Sequence, residues 1–324
     1  MQKTTISRWG LAAVVLAGIL VSAPLATAQD SHWGPQPGPS IVVTAGMVPT
    51  ADLAQPGQSY GYRDAGLRVR VPLIGGWDWD RSEMSKFRLL TFAGFKTDSA
   101  LLPYMTGRQN LYALDAGVSG VHVLNPRNQI TWSIAAGFSE EDSTVSNPKI
   151  KETGSVVAAY RKSDSLTLLY GGGYSFDFGQ GRFLPILGFH WRPHPGTTVS
   201  VVAPFSGRVQ QQINQRLMVG AQAGLRGNQY HIANNEQFSS PTDNLYLRLK
   251  EVRLGGQVGV RLNRSVSLLG DAGVATARTL TYADGKTRLS SLDAGAEPYV
   301  SISLRYSFSK QARWEDFGEG SSKK

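Results

Sequence analysis

The sequence predicts an all-β fold: a transmembrane, antiparallel, up-and-down β-barrel of about 12–14 strands. An export signal opens the chain, yet no later apolar run in its 324 residues reaches the ~20 that a spanning helix needs. Apolar residues then recur at every second position over most of the remaining length. Tight polar turns alternate with longer, variable connections. A non-helical backbone in lipid has to satisfy its hydrogen bonds between strands, so such a chain crosses a membrane only as a closed barrel.

Residues 1–28 read as a signal peptide. Lys3 and Arg8 flank the start, an apolar run covers 11–21, and Ala26-Thr27-Ala28 supplies the small residues for cleavage after Ala28. Cleavage removes two basic side chains and no acids, lowering the formal net charge from +9 to +7. Residues 29–40 form a Pro/Gly-rich leader without periodicity. With no cysteine, the exported chain has neither disulfides nor thiolate metal ligands. Basic character raises the question of nucleic acid. Here export, the spread of Arg and Lys along strands and the lack of any nucleic-acid module exclude that partner class. The expected partners are the lipid bilayer and the outer-membrane assembly machinery of a Gram-negative bacterium.

The barrel is expected over 41–308, beginning with strands at 41–48 and 60–73. In the second, Leu67, Val69, Val71 and Leu73 alternate with Arg68 and Arg70. Strands at 86–96, 110–124 and 129–140 follow; in the last, Ile130, Trp132, Ile134, Ala136 and Phe138 alternate with Thr131, Ser133 and Gly137. The next spans are 152–161, 165–178, 182–192, 197–205 and 208–213. Over 216–231, Leu217, Val219, Ala221, Ala223 and Leu225 oppose Arg216, Gln222 and Arg226. Over 244–262, Val252, Leu254, Val258, Val260 and Leu262 oppose Arg253, Gln257 and Arg261. Strands at 265–281 and 288–308 complete fourteen, with twelve as the alternative count. Three places weaken the count: the short first strand, a single bent strand around APFSG, and a slip of the alternation near Lys250-Glu251 that implies a bulge.

The connections support this parity. VLNPRNQITW, YRKSDSLTL, HWRPHPGTTV, QQINQRLMV and VRLNRSVSL join strands through short polar kinks. The opposite connections vary in length, and tight turns on one rim with variable loops on the other mark the tight rim as periplasmic. In YVSISLRYSF, Val300, Ile302, Leu304, Tyr306 and Phe308 share one face opposite Ser301, Ser303, Arg305 and Ser307. This strand resembles the C-terminal targeting signal of outer-membrane barrels, although a polar tail over 309–324, expected in the periplasm, follows it.

The block YSFDFGQGRFLPILGFHWRP, with VSVVAPF and VGVRLNRSVSL, resembles an uncharacterised family of bacterial outer-membrane β-barrel proteins catalogued as a domain of unknown function. The resemblance covers roughly residues 60–308, most specifically 179–189. It implies a barrel and an outer-membrane address, and supplies no activity and no functional residues.

If the apolar face meets lipid, the lumen receives the other face. The lumen-facing candidates are Arg68, Arg70, Arg192, Arg216, Arg226, Arg253, Arg261, Arg305, Asp177 and Asp271, with Arg88, Arg182, Asp115, Glu251, Asp293 and Glu297 on the same parity. A basic lumen favours anions, so a passive channel or binding barrel for small anionic solutes is expected. The competing expectation is a structural or surface-interaction barrel, its lumen filled by paired side chains. Lipid hydrolysis is the third class: His122 lies on the lipid-side parity, but Ser119 falls on the other face and no serine motif accompanies it, so no catalytic residue is assigned. His190 and His194 have no acidic neighbour to complete a ligand set; no metal or cofactor is expected. Tyr60, Tyr62, Trp77, Trp79, Tyr104, Trp132, Phe138, Tyr160, Tyr170, Phe178, Trp191, Tyr282 and Phe308 fall near strand ends, as interfacial girdles require. A soluble sandwich also alternates, but its outer face would carry more Lys and Glu than a chain with 18% charged residues supplies.

Overall fold

The computed structural model describes residues 39–53, 55–74, 87–176, 180–233, 237–238 and 244–308. The expected signal peptide, nearly all of the leader, the C-terminal tail, Asp177, Phe178, Trp77 and Trp79 lie outside these residues. The described chain runs through β1 (Ser40–Asp52), β2 (Ser59–Ile74), β3 (Phe87–Leu101), β4 (Arg108–Asn125) and β5 (Asn128–Glu141). Then come β6 (Ile150–Arg161), β7 (Leu166–Ser175), β8 (Arg182–Trp191), β9 (Thr197–Ala203) and β10 (Ser206–Gln212). The last five are β11 (Leu217–His231), β12 (Leu245–Arg261), β13 (Val266–Asp284), β14 (Thr287–Ala294) and β15 (Glu297–Ser307). No helix among the described residues is long and apolar enough to cross a membrane.

From β1 to β14 each strand pairs antiparallel with its sequence neighbours, and β15 pairs β13 and β1, so the sheet closes on itself. β14 and β15 form one staggered wall: β14 pairs the outer part of β13 and β15 its inner part, with a break at 295–296. The barrel therefore has fourteen strands, in the expected order. β1 is a full 13-residue strand. The stretch around APFSG is not one bent strand but the tip of a hairpin between the seven-residue β9 and β10.

The tight rim owes its turns to side chains that replace backbone acceptors. Asn125 Oδ1 accepts from the Arg127 and Asn128 amides, Asn214 Oδ1 from Arg216 and Leu217, and Asn263 Oδ1 from Ser265 and Val266. Ser163 Oγ does the same for Ser165 and Leu166. An Asn or Ser that caps its own turn fixes the hairpin register, and the recurring polar kinks are the sequence form of this device.

The apolar face points outward. Val43, Ile134, Val156, Leu187, Leu254, Val258, Val300 and Ile302 are exposed, and Phe183 is 78% exposed. Arg68, Arg70, Arg253 and Arg278 are buried on the other face. A soluble barrel would reverse this; large apolar side chains on the outside of a closed sheet are stable only against lipid.

Two expectations need correction, on the girdle tyrosines and on Asp293, and the bulge expected near Lys250-Glu251 is present in the strand pairing. Tyr60, Tyr62 and Tyr282 are not girdle residues but lie buried inside, because the outer ends of their strands enclose an apolar core. The slip near Lys250-Glu251 is not a change of face on β12: Leu245, Leu247, Glu251, Arg253 and Gln257 are all buried in one odd-numbered series. The irregularity there lies in the pairing, where Lys250 opposes Thr279 and Val252 opposes Thr276, and the extra residue sits on β13, beside Ala277 with φ 48°. Inner positions on β13 consequently switch from Asp271 and Ala275 to Arg278, Leu280 and Tyr282. Asp293 faces outward, since Leu292 and Ala294 take the inner positions of β14.

The barrel is not uniform along its axis. At the outer rim His231 of β11 bridges Glu140 of β5 in parallel, although five strands separate them in the wall. His231 Nδ1 lies 2.6 Å from Glu140 Oε2, and Thr144 Oγ1 donates to His231 O at 3.2 Å. Gln229 and His231, which have outward parity on β11, are buried by this crossing. The outer barrel thus closes around nine strand positions, and β6–β10 stand aside as a lower wall.

The lipid-facing assignment predicts that Leu254→Arg, in a cross-strand pair with the equally outward Val274, destabilises the barrel by about 2–4 kcal/mol. Denaturant titration in lipid vesicles measures it, and a cost under about 0.5 kcal/mol contradicts the assignment.

Candidate functional site

The lumen is layered. Nearest the tight rim, Arg68 and Arg70 of β2, Arg88 of β3 and Arg305 of β15 project from inner positions near the periplasmic ends of their strands. Arg208 of β10 joins them, close enough to act electrostatically on both Asp271 and His190. Asp271 accepts from Gln222 Nε2 at 2.9 Å and Ser301 Oγ at 3.3 Å, and Asp115 of β4, level with Arg68 through Gly94 of β3, is a second acid of this layer.

The middle layer is a network of paired charges in which Glu251 serves two arginines. Glu251 Oε1 accepts from Tyr62 Oη at 2.5 Å and from Arg253 Nε at 2.8 Å, and Arg278 Nε lies 3.9 Å from its other oxygen. Arg253 Nη2 also donates to Tyr62 Oη at 2.6 Å and stacks over Tyr299, while Arg278 stacks over Tyr60. Arg226 pairs with Asp64 at 3.6 Å, Lys96 with Asp98 at 2.6 Å, and Tyr230 Oη donates to Asp98. Aromatic faces and tyrosine hydroxyls supply part of what buried guanidinium groups and carboxylates lose on leaving water, while Arg278 Nε and Nη2 and Arg253 Nη1 make no hydrogen bond among the described residues.

The outer layer is apolar. Val48, Leu53, Leu102, Leu111, Ile232, Leu245, Leu247, Leu280 and Leu292 pack with Tyr60, Tyr230, Tyr282 and Tyr299 inside the narrowed mouth. Tyr282 Oη donates to Pro103 O at 2.6 Å and its ring stacks on Phe238 at 4.7 Å. A packed cluster of this kind excludes water from the axis.

Beneath that cluster lies a cavity of about 1300 Å³, counting the open space at its mouth. Tyr62, Lys96, Asp98, Arg226 and Glu251 form its inner wall, while Lys151, Ser175, Phe176 and Asn228 lead to its side. Lys151 donates to Ser139 Oγ at 2.6 Å and to Asn228 Oδ1 and Gln229 O at 2.8 Å, tying β6 to β5 and β11.

Of the lumen-facing candidates, Arg68, Arg70, Arg226, Arg253 and Asp271 occupy buried or nearly buried inner positions. Arg192, Arg261 and Arg305 are half-buried at the periplasmic ends of their strands, and Arg192 lies near His190. Arg216 does not face the lumen. It is exposed in the turn before β11, where the strand parity no longer applies. Tyr62, Asp64, Lys96, Asp98, Lys151 and Arg278 were missed. Tyr60, Tyr62 and Asp64 continue the every-second-residue series of Arg68 and Arg70, so that signal was legible; Arg278 was hidden by the bulge. His122 projects outward with its ring 4.3 Å from Phe87, whereas Ser119 is buried on the inner face. Among the described residues no three His, Asp or Glu side chains group as metal ligands.

Fold and site together define a transmembrane β-barrel of the outer-membrane type, with a charged lumen and a sealed outer mouth. Residues 97–307 match the family described as "Domain of unknown function (DUF6268)", and the chain belongs to that family. No curated protein matches the sequence. Among solved structures, the chain is similar to a KdgM porin in complex with disordered oligogalacturonate, at 9% identity and TM-score 0.35 over 83% of this chain and 98% of that one. The toluene transporter TodX of Pseudomonas putida aligns at 10% identity and TM-score 0.37 over 90% and 93%. LpxR from Salmonella typhimurium aligns at 9% and 0.39 over 82% and 99%. At these scores the likenesses carry no functional weight.

The middle network predicts that Glu251→Leu, which strands the Arg253 and Arg278 guanidinium groups in the lumen, costs about 3–5 kcal/mol of unfolding free energy. The double variant Glu251→Leu/Arg253→Leu recovers part of that loss, as vesicle unfolding curves will show. Equal loss in single and double variants would indicate that the charges are independently solvated.

Proposed function

We propose that the protein is an outer-membrane barrel that binds small anionic solutes at its Arg-rich periplasmic layer, not an open axial porin. One observation carries this reading: the Arg-rich periplasmic layer ends beneath a packed apolar core that fills the outer mouth. A ring of guanidinium groups in a confined lumen attracts anions, and a dry apolar seal above it blocks through-passage. The ion pairs of the middle layer support the structural-barrel reading, since they hold the wall together without a ligand. The layer below them, where Arg68, Arg70, Arg88, Arg208 and Arg305 outnumber the acids Asp271 and Asp115, favours binding. A non-enzymatic role accords with His122 and Ser119 standing on opposite faces of β4.

Purified, refolded protein in planar bilayers is expected to give no stepwise conductance. Opening the seal with Leu247→Ala/Leu280→Ala/Tyr282→Ala is expected to produce steps with anion preference. Wild-type steps, or cation preference in the opened variant, refute the proposal. Titration calorimetry with phthalate is expected to show binding that Arg68→Gln/Arg70→Gln weakens by about tenfold or more, the loss of ~1.4 kcal/mol or more that a charged hydrogen bond represents.

A further inference from the structure

The cavity beneath the apolar seal differs from the Arg-rich layer in its balance of charge. Of the charged side chains that line it, Lys96, Lys151 and Arg226 stand with Asp98, Asp115 and Glu251, three of each sign, while Lys250 projects outward. Lys96 is held by its own acid, Asp98, at 2.6 Å, and Arg226 by Asp64 at 3.6 Å. The inner wall thus presents ion pairs, which act as dipoles, and not separate poles. An ion that enters leaves water without meeting an unbalanced counter-charge, so its desolvation is not offset. A neutral molecule avoids that cost.

Hydrogen-bonding capacity on this wall is only partly used. Among the described residues Lys96 donates to Asp98 Oδ2 alone, which leaves two of its three N–H groups over. The contact of Arg226 with Asp64 is longer than a hydrogen bond, and among the described residues its guanidinium makes no other ion pair. Neither cation is sealed in, since 17% of the Lys96 side chain and 11% of Arg226 remain accessible. Across the cavity, Thr153 of β6 lines the same space, and among the described residues its hydroxyl makes no hydrogen bond.

The surface between these groups is small and apolar. Ala113 of β4 with Ala135 and Gly137 of β5 leave the space open. Phe92 of β3 lies along the wall, its ring tip set over Gly117, where a Cβ would come within 2.7 Å of it. A molecule that fits has oxygens along one edge, to accept from Lys96 and Arg226, and a C–H surface on its face. A hydrocarbon would cover the ammonium and guanidinium groups without pairing them. An amino-acid zwitterion is neutral overall but needs two separated poles, for which the ion pairs would have to open. A saccharide meets both demands, because its hydroxyls accept and donate without charge and its ring carbons form the apolar face.

We propose that the cavity binds a neutral saccharide of one or two rings. Its hydroxyl edge sits on Lys96, Arg226 and Thr153, and its C–H face lies on Phe92, Ala113 and Ala135. The proposal goes beyond the anion-binding reading and rests on different residues, so the two can fail separately.

Protein refolded into phosphatidylcholine nanodiscs brings no sugar-headed detergent to the test. Titration calorimetry with methyl α-glucoside, methyl α-galactoside, methyl α-mannoside, maltose and sucrose is expected to show one-to-one binding of at least one, with a Kd of about 1 mM or tighter. Lys96→Gln is expected to weaken that sugar about tenfold or more, the loss of a hydrogen bond from a charged donor. Ala135→Phe, which fills the space with a ring, is expected to weaken it at least as far, and Thr153→Val by about threefold. All three variants are expected to bind phthalate like wild type. Failure of all five sugars to bind at up to about 10 mM overturns the proposal. Unchanged sugar affinity in Ala135→Phe or in Lys96→Gln also overturns it, as does tighter binding of glycine than of any sugar, which identifies a zwitterion site. Absence of phthalate binding in wild type refutes the periplasmic-layer reading alone and leaves this one standing. Heat-modifiable migration on gels verifies that each variant is folded.

Discussion

Closure of the hydrogen-bonded sheet is the constraint on which everything else depends. In lipid an unpaired backbone amide costs several kcal/mol, so the wall has to join β1 to β15 and β12 to β13 before any side chain matters. Once closed, alternation leaves no freedom: each residue faces either the bilayer or the lumen. Arginine then has one tolerable side. The lumen is charged because the outside cannot be, and the middle network follows from putting Arg226, Arg253 and Arg278 where Asp64 and Glu251 can meet them.

The same constraint explains the crossing of β11 to β5. Strands on either side of the short β9–β10 hairpin rise above it, and their outer edges would otherwise be left bare. β11 resolves its share by leaning across the lumen, where His231, Glu140, Thr144 and Lys151 supply partners. That movement narrows the mouth, and a narrowed mouth lined by nine strands can be filled by side chains. Leu245, Leu247, Leu280 and Tyr282 fill it. Sealing of the axis is thus a consequence of how the edge is satisfied.

Much of this was legible because alternation is a direct reading of environment. Fourteen strands, their order, the Asn-capped turns and the inner placement of Arg68, Arg70, Arg226, Arg253 and Asp271 follow from period and turn chemistry alone. The misreadings share one cause. Above the apolar band, water lies outside and the packed core lies inside, so the polarity of the two faces reverses without any change in the strand. On β12, Leu245 and Leu247 point inward like Arg253, yet the pattern appeared to slip at Lys250-Glu251; Tyr60, Tyr62 and Tyr282 appeared as girdle residues for the same reason. A true slip did exist, on β13 beside Ala277, where small residues give no polarity contrast to reveal it. The β5–β11 contact leaves no periodic trace, because it depends on where two distant strand ends arrive.

Strand length carried information that face-by-face reading passes over. Seven-residue β9 and β10, among neighbours of 10 and 15 residues, cannot cover the apolar band however well they alternate. A shortfall in one hairpin cannot be absorbed by thinning the bilayer around the whole barrel, since β11–β13 are long enough to reach past it. The mismatch is local, and a local mismatch in a closed wall has to appear as an opening, a lipid defect or an inserted molecule.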